Sequence, residues 1–218
     1  MAHPFRLIAV GLLLSMTGLA CGVSQLTSGL PTSPSSHLLF QDDFSDSSSG
    51  WNTLQSEAGA IEYTAEGLRF QVNQMRYDLW SVPSLHLGDV HVEVDAIKSG
   101  GPDDNDFGII CRYSDENHFY ALLVSSDGYY GISKMENGEH NLLGMDGMRL
   151  SDAVNKGTAA NHLRADCVGD TLTLYANGVK LYEVKDASYS SGDVGLIAGS
   201  FDQPGVEIVF DNFMVAKP

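Results

Sequence analysis

Apolar and polar residues alternate with a period of two along much of the chain. Val90, Val92, Val94 and Ala96 alternate with His91, Glu93 and Asp95. Leu163, Ala165 and Cys167 alternate with His162, Arg164 and Asp166. A period of two is the mark of a half-buried β-strand. The stretch Asp104 to Ile132, DNDFGIICRYSDENHFYALLVSSDGYYGI, predicts three short strands. They run Phe107 to Tyr113, His118 to Ser125, and onward from Tyr129, and SDEN and SDG close the first two. Apolar runs closed by Ser, Asp, Asn and Gly make an antiparallel meander. On the first strand Phe107, Ile109, Cys111 and Tyr113 are expected to share the core face, with Gly108 and Arg112 on the other.

The remaining pattern extends this reading. LLFQDDF, from Leu38, opens the folded domain as a strand, and Trp51 follows a Ser-rich loop. Ala60 to Tyr63 and Leu68 to Val72 read as a hairpin. QMRYDLWSVPSL reads as a loop, and Ser151 to Asn155 as one short helix. Asn137-Gly138 and Asn177-Gly178 are tight-turn dipeptides. Val194 to Ala198 and Val206 to Val215 close the domain. About a dozen short strands predict an all-β, two-sheet antiparallel sandwich.

Residues 1 to 20 change the expected address. They combine Arg6, an apolar run from Leu7 to Leu14 and small residues before Cys21. This is the pattern of a secretory signal peptide, with an apolar run too short to span a bilayer. MTGLAC resembles the lipobox of bacterial lipoproteins, although Gly18 stands where Leu is usual. The resemblance implies lipidation of Cys21 and a membrane-anchored, extracytoplasmic lipoprotein; the alternative is plain secretion. Residues 21 to 37 hold the anchor and a Ser, Thr, Pro and Gly-rich tether. The folded domain is expected over 38 to 218.

The chain has 218 residues and a formal charge of −16. That acidity argues against nucleic acid as a partner and leaves the lipid anchor as the expected membrane contact. Cys111 and Cys167 form an even pair in an oxidising compartment, on expected core-facing positions. They predict a disulfide if their Cα atoms come within about 7 Å, or otherwise two buried thiols.

Several segments together resemble the concanavalin A-like lectin/glucanase jelly roll. They are FQDDFSDSSSGW, DFGIICRY with HFYALLV, NHLRADCVGDTLTLYANGVKL, and GDVGLIAGSFDQPGVEIVFDNFMV. Related sets include laminin-G-type modules, carbohydrate-binding modules, laminarinase-type hydrolases and the 3-keto-disaccharide hydrolase domain. The laminarinase-type motif ExDxxE finds only EVDAIK here, with Glu93 and Asp95 in place and Lys98 where the last acid belongs. A retaining glycosidase needs two carboxylates about 5 to 5.5 Å apart, and a lysine does not serve as one. G-x-S-x-G and HExxH are absent from the sequence. The resemblance also implies a structural calcium ion held by Asp43 and Asp211, with Asp42 or a carbonyl near Trp51 completing its shell. Asp103, Asp104, Asn105 and Asp106 form a looser cation candidate.

A sugar-binding face is the remaining expectation. If Val92, Val94, Ile109, Leu163 and Ala165 face the core, then His91, Glu93, Asp95, Arg112, His162, Arg164 and Asp166 face away from it. Tyr77, Trp80, Tyr129 and Tyr130 would supply the stacking platform. Seven histidines show no metal-ligand spacing, His118 and His140 included. The expectation is an anchored module that binds carbohydrate or another surface polymer without catalysis. The alternatives are a glycoside or 3-keto-disaccharide hydrolase with unrecognised acids, and a laminin-G-like protein adhesion module.

Overall fold

A computed structural model describes residues 37–218. The expected signal peptide, the Cys21 anchor and nearly all of the tether lie outside the described residues. Strands come in quick succession. The first six are β1 (Leu38–Asp42), β2 (Leu54–Gln55), β3 (Gly59–Thr64), β4 (Gly67–Val72), β5 (Tyr77–Ser81) and β6 (Val90–Gly100). Next come β7 (Asn105–Asp115), β8 (His118–Val124), β9 (Tyr129–Glu136), β10 (Glu139–Leu142) and β11 (Arg149–Leu150). The chain closes with β12 (Asn161–Val168), β13 (Thr171–Ala176), β14 (Val179–Lys185), β15 (Asp193–Ser200) and β16 (Val206–Ala216).

These strands form two antiparallel sheets. Sheet A has nine strands in the order β14-β13-β12-β6-β16-β4-β3-β2, with β1 also paired to β16. Sheet B has seven in the order β10-β9-β8-β7-β15-β5, with β11 also paired to β9. The predicted meander is the β9-β8-β7 part of sheet B. Asn137 and Gly138, and Asn177 and Gly178, all take positive φ, as the two-residue turns of their hairpins require.

One main core fills the space between the sheets. Val92, Val94, Leu163, Ala165, Phe107, Ile109, Leu172, Phe210 and Val215 are buried in it. Trp51 packs edge-on against Phe213 at 4.8 Å and against Phe44 at 5.3 Å. Its Nε1 donates to Asp42 Oδ2 at 2.9 Å, which fixes the opening segment to the core. Cys111 on β7 and Cys167 on β12 are joined by a disulfide with Cα atoms 6.6 Å apart, so a covalent bond crosses the sandwich.

The structure departs from the sequence pattern at three places. QMRYDLWSVPSL is not wholly loop, because Tyr77–Ser81 pairs with β15 as the edge strand β5. Leu79 points into the main core while Trp80 packs on the other face, so five residues suffice for the period of two. No helix forms at 151–155; that segment is turns and irregular chain, held by Ser151 Oγ accepting from the Ala153 amide. Tyr113 does not share the face of Phe107, Ile109 and Cys111. The β7–β8 register shifts between Cys111 and Asp115, and Arg112 takes a φ of +56°. One irregular residue reverses the alternation, turning Arg112 inward and Tyr113 outward.

Candidate functional site

The expected polar face divides between two sheets. β12 pairs with β6 so that His162 lies opposite Asp95, Arg164 opposite Glu93 and Asp166 opposite His91. These six side chains form one ladder on the outer face of sheet A. His162 Nδ1 lies 2.7 Å from Asp95 Oδ1, and His91 Nδ1 lies 2.6 Å from Asp166 Oδ1. Arg164 donates to both oxygens of Asp166 at 2.6 and 2.9 Å and lies 5.0 Å from the centroid of the Tyr175 ring. The ladder therefore satisfies its own charges. Lys98 stands on the opposite side of β6 from Glu93 and Asp95, where Nζ holds Gly101 O at 2.9 Å and the Asp103 carboxylate.

Arg112 is not part of that face. It lies in sheet B and is buried, with Nη1 donating to Tyr189 O at 2.7 Å and Nη2 to Gly169 O at 2.7 Å. Asp89 Oδ1 lies 3.2 Å from Nη2. The backbone irregularity that turns the guanidinium inward also places these acceptors around it.

The four expected platform aromatics also separate. Tyr130 packs against the main core. Tyr77 is exposed at the start of β5, on the side of Leu79. Trp80 lies on the outer face of sheet B, over a second apolar cluster of Ile110, Phe119, Ala121, Leu123, Met135 and Ile197. Tyr129 alone of the four lines an open cleft. Loops at one end of sheet B build that cleft from Arg76, Asp104, Ser125, Asp127, Tyr129, Met148, Phe201 and Asp202. Its volume is about 600 Å³. Tyr129 is 39% exposed, which leaves part of its surface open for contact. Arg76 is committed to Asp202, with Nε and Nη2 at 3.0 and 2.7 Å from Oδ1. Asp104 and Asp127 give the rim an acidic character.

On sheet B lies a further group that sequence reasoning missed. His140 Nε2 meets Asp78 Oδ2 at 3.3 Å, and His140 Nδ1 contacts Ser133 Oγ at 2.9 Å. Asp78 Oδ1 and Asp106 Oδ1 converge above Gly199, where any Cβ would collide with both. Asp106 was a loose cation candidate in a predicted turn; the structure places it half-buried within β7, with an Oδ1 that is enclosed and has no hydrogen-bond partner. Burial first, and the nearby Asp78 carboxylate second, raise its pKa to about 7, against a smaller opposing pull from His140. No motif or spacing in the sequence signals this association.

The opening and closing strands meet as the calcium expectation requires, with Asp42 opposite Phe213. Their carboxylates are committed locally. Asp43 accepts from the amide and hydroxyl of Ser45, at 3.0 and 2.6 Å. Asp211 accepts from the Asn212 amide at 2.7 Å. Asp42 holds Phe44 N and Trp51 Nε1 with its two oxygens. Among the described residues no three acidic, His or Cys groups converge as a metal shell.

Comparison with known proteins reaches the fold. No protein-family model matches the chain, and no curated protein matches it. Solved structures do. A carbohydrate-binding module, CBM66, from Bacillus subtilis superposes with a TM-score of 0.64 at 20% identity, covering 78% of this chain and 96% of that one. A Bacillus subtilis protein of unknown function with a galectin-like fold gives 0.62 at 14% identity, covering 83% and 96%. The GH43 protein BlXynB from Bacillus licheniformis gives 0.59 at 15% identity, covering 82% of this chain and 39% of that one.

The chain has the two-sheet antiparallel jelly-roll fold of these proteins. At these identities the likeness concerns the fold, and function rests on the site itself. In this jelly roll the cleft lies at one end of sheet B, while the self-paired polar ladder covers sheet A.

Proposed function

We propose that the protein is an extracytoplasmic, lipid-anchored module that binds carbohydrate or a similar hydroxyl-rich surface polymer without cleaving it. The cleft at the end of sheet B carries this reading. An exposed Tyr129 ring stands beside Asp104, Asp127, Ser125 and the Arg76–Asp202 pair. Sugars present an apolar ring face to aromatics and hydroxyls to carboxylates and guanidinium groups, and a cleft of about 600 Å³ accommodates such a unit. The carbohydrate-binding module among its structural neighbours supports the reading. The leader ending at Cys21 supports the anchor, and the tether would hold the jelly roll clear of the membrane surface.

A hydrolase reading has one observation in its favour. Asp78 and Asp106 converge, and Asp106 holds its proton up to about pH 7. Against it, neither carboxyl lines the cleft. A polysaccharide pull-down assayed in parallel for released sugar separates the two. Binding without release supports the binding module, release supports the hydrolase, and the absence of both shifts the case to protein adhesion.

A further inference from the structure

The outer face of sheet B is partly covered in this structure, with Trp80 half-buried, yet it is furnished as a binding surface. Trp80 and Phe119 have ring centroids 5.8 Å apart, and Tyr113 lies 5.6 Å from Phe119. Beside these rings the buried Asp106 Oδ1 accepts no hydrogen bond. A buried acceptor without a partner is a cost carried by the closed form. Flat apolar rings beside an unsatisfied acceptor match the two surfaces of a sugar ring, its C–H face and its hydroxyl rim. Asp104, two residues before Asp106 on the chain, lines the open cleft.

The closure is slight. His140 reaches from β10 and Asp78 from β5, the two ends of the sheet B path, and they meet across the face. Their side chains are 26% and 27% exposed, so water competes for the contact and it holds weakly. Gly131 leaves space for Leu142, Met145 and Met148 to complete the cover.

We propose that the His140–Asp78 contact is a clasp, and that opening it presents Asp106 and the Trp80 ring to a sugar ring adjoining the cleft. This rests on the carbohydrate reading of the cleft. Opening replaces a weak polar contact and exposes apolar surface, and a ligand hydroxyl supplies the hydrogen bond that Asp106 lacks. The closed population lowers apparent affinity by the fraction of molecules that are open.

Acrylamide quenching of tryptophan fluorescence tests the clasp without any ligand. Trp51 is buried in the main core and gives a constant, poorly quenched background. His140→Ala is expected to raise quenching of Trp80 severalfold, and Asp78→Ser, which removes the other half of the contact, to do the same. Unchanged quenching in both variants overturns the clasp. Titration with the polysaccharide retained best from a panel of β-glucan, xylan, pectin and chitosan reads the subsite. His140→Ala is expected to bind about tenfold tighter if roughly one molecule in ten is open in the parent. Raised quenching with unchanged affinity overturns the sugar subsite. If neither the parent nor the variant binds any member of the panel, the carbohydrate reading fails, and the quenching result still decides the clasp.

Discussion

His140 Nε2 and Asp78 Oδ2 lie 3.3 Å apart although they stand on the opposite end strands of sheet B. Four strands separate β10 from β5 in the sheet order. At about 4.8 Å per strand step, a flat sheet would hold these two edges far apart. The contact therefore requires sheet B to curl until its edges meet over the second apolar cluster. That curl divides the face into a closed region and an open cleft at one end. It also explains how Ile110, Ala121, Leu123 and Ile197 are buried outside the main core.

The enclosed Asp106 carboxyl gives a pH dependence with a definite sign. Its ordinary value is about 3.9, and the fold raises it to about 7. Below about pH 4 the carboxyl is protonated in both states, and its contribution to stability is fully present. The unfolded chain releases the proton first as pH rises, so that contribution is lost between about pH 4 and pH 7. Asp106→Asn, which stays neutral, is expected to lose less stability between pH 5 and pH 8 than the parent. Thermal melts at the two pH values check this, and parallel losses would place Asp106 in a solvated site.

The disulfide across the sandwich closes a long loop. Replacing both Cys111 and Cys167 by Ser is expected to cost on the order of 4 kcal/mol, the loop-closure value for a separation of 56 residues. Urea denaturation of the two proteins measures the difference. A change near zero would mean that the unfolded chain gains little freedom when the link is removed.

Arg112 is expected to matter for stability and not for binding. Arg112→Ala leaves the carbonyls of Tyr189 and Gly169 without their donor, and the expected loss is about 3 kcal/mol. Affinity for polysaccharide should stay within error of the parent. A stable variant with lost binding would contradict its buried, internal role.

Calcium provides a separate check. Asp42, Asp43 and Asp211 are each occupied by nearby amides, hydroxyls or the Trp51 indole. The expected result is the same melting midpoint in calcium and in chelator. A rise of several degrees in calcium that disappears in Asp43→Asn would place an ion at the meeting of the two chain ends.

Much of this architecture was legible in the sequence because its strands obey the period of two. Val90 to Ala96 and Leu163 to Cys167 alternate without interruption, and their outward residues form the ladder that the alternation predicts. The core-facing positions of Cys111 and Cys167 allowed either a disulfide or two buried thiols, and the structure joins them. Arg112 escaped because a single left-handed residue reverses the alternation, and nothing in RYSDEN announces it. β5 escaped because Ser81 is followed closely by Pro83, so the strand is too short to stand out from its flanking loops. Asp78, Asp106 and His140 escaped for a different reason. Their association depends on the curl of a whole sheet, and no local spacing encodes it.

The carbohydrate reading turns on the cleft around Tyr129. The most direct test is isothermal titration of residues 38–218 and of Tyr129→Ala with the polysaccharide retained best in the pull-down. Measurable binding by the parent, binding weaker by about tenfold or more in the variant, and equal melting midpoints are expected. Equal affinities in the two proteins would contradict the placement of the site in this cleft, and no binding by the parent would contradict the carbohydrate reading itself.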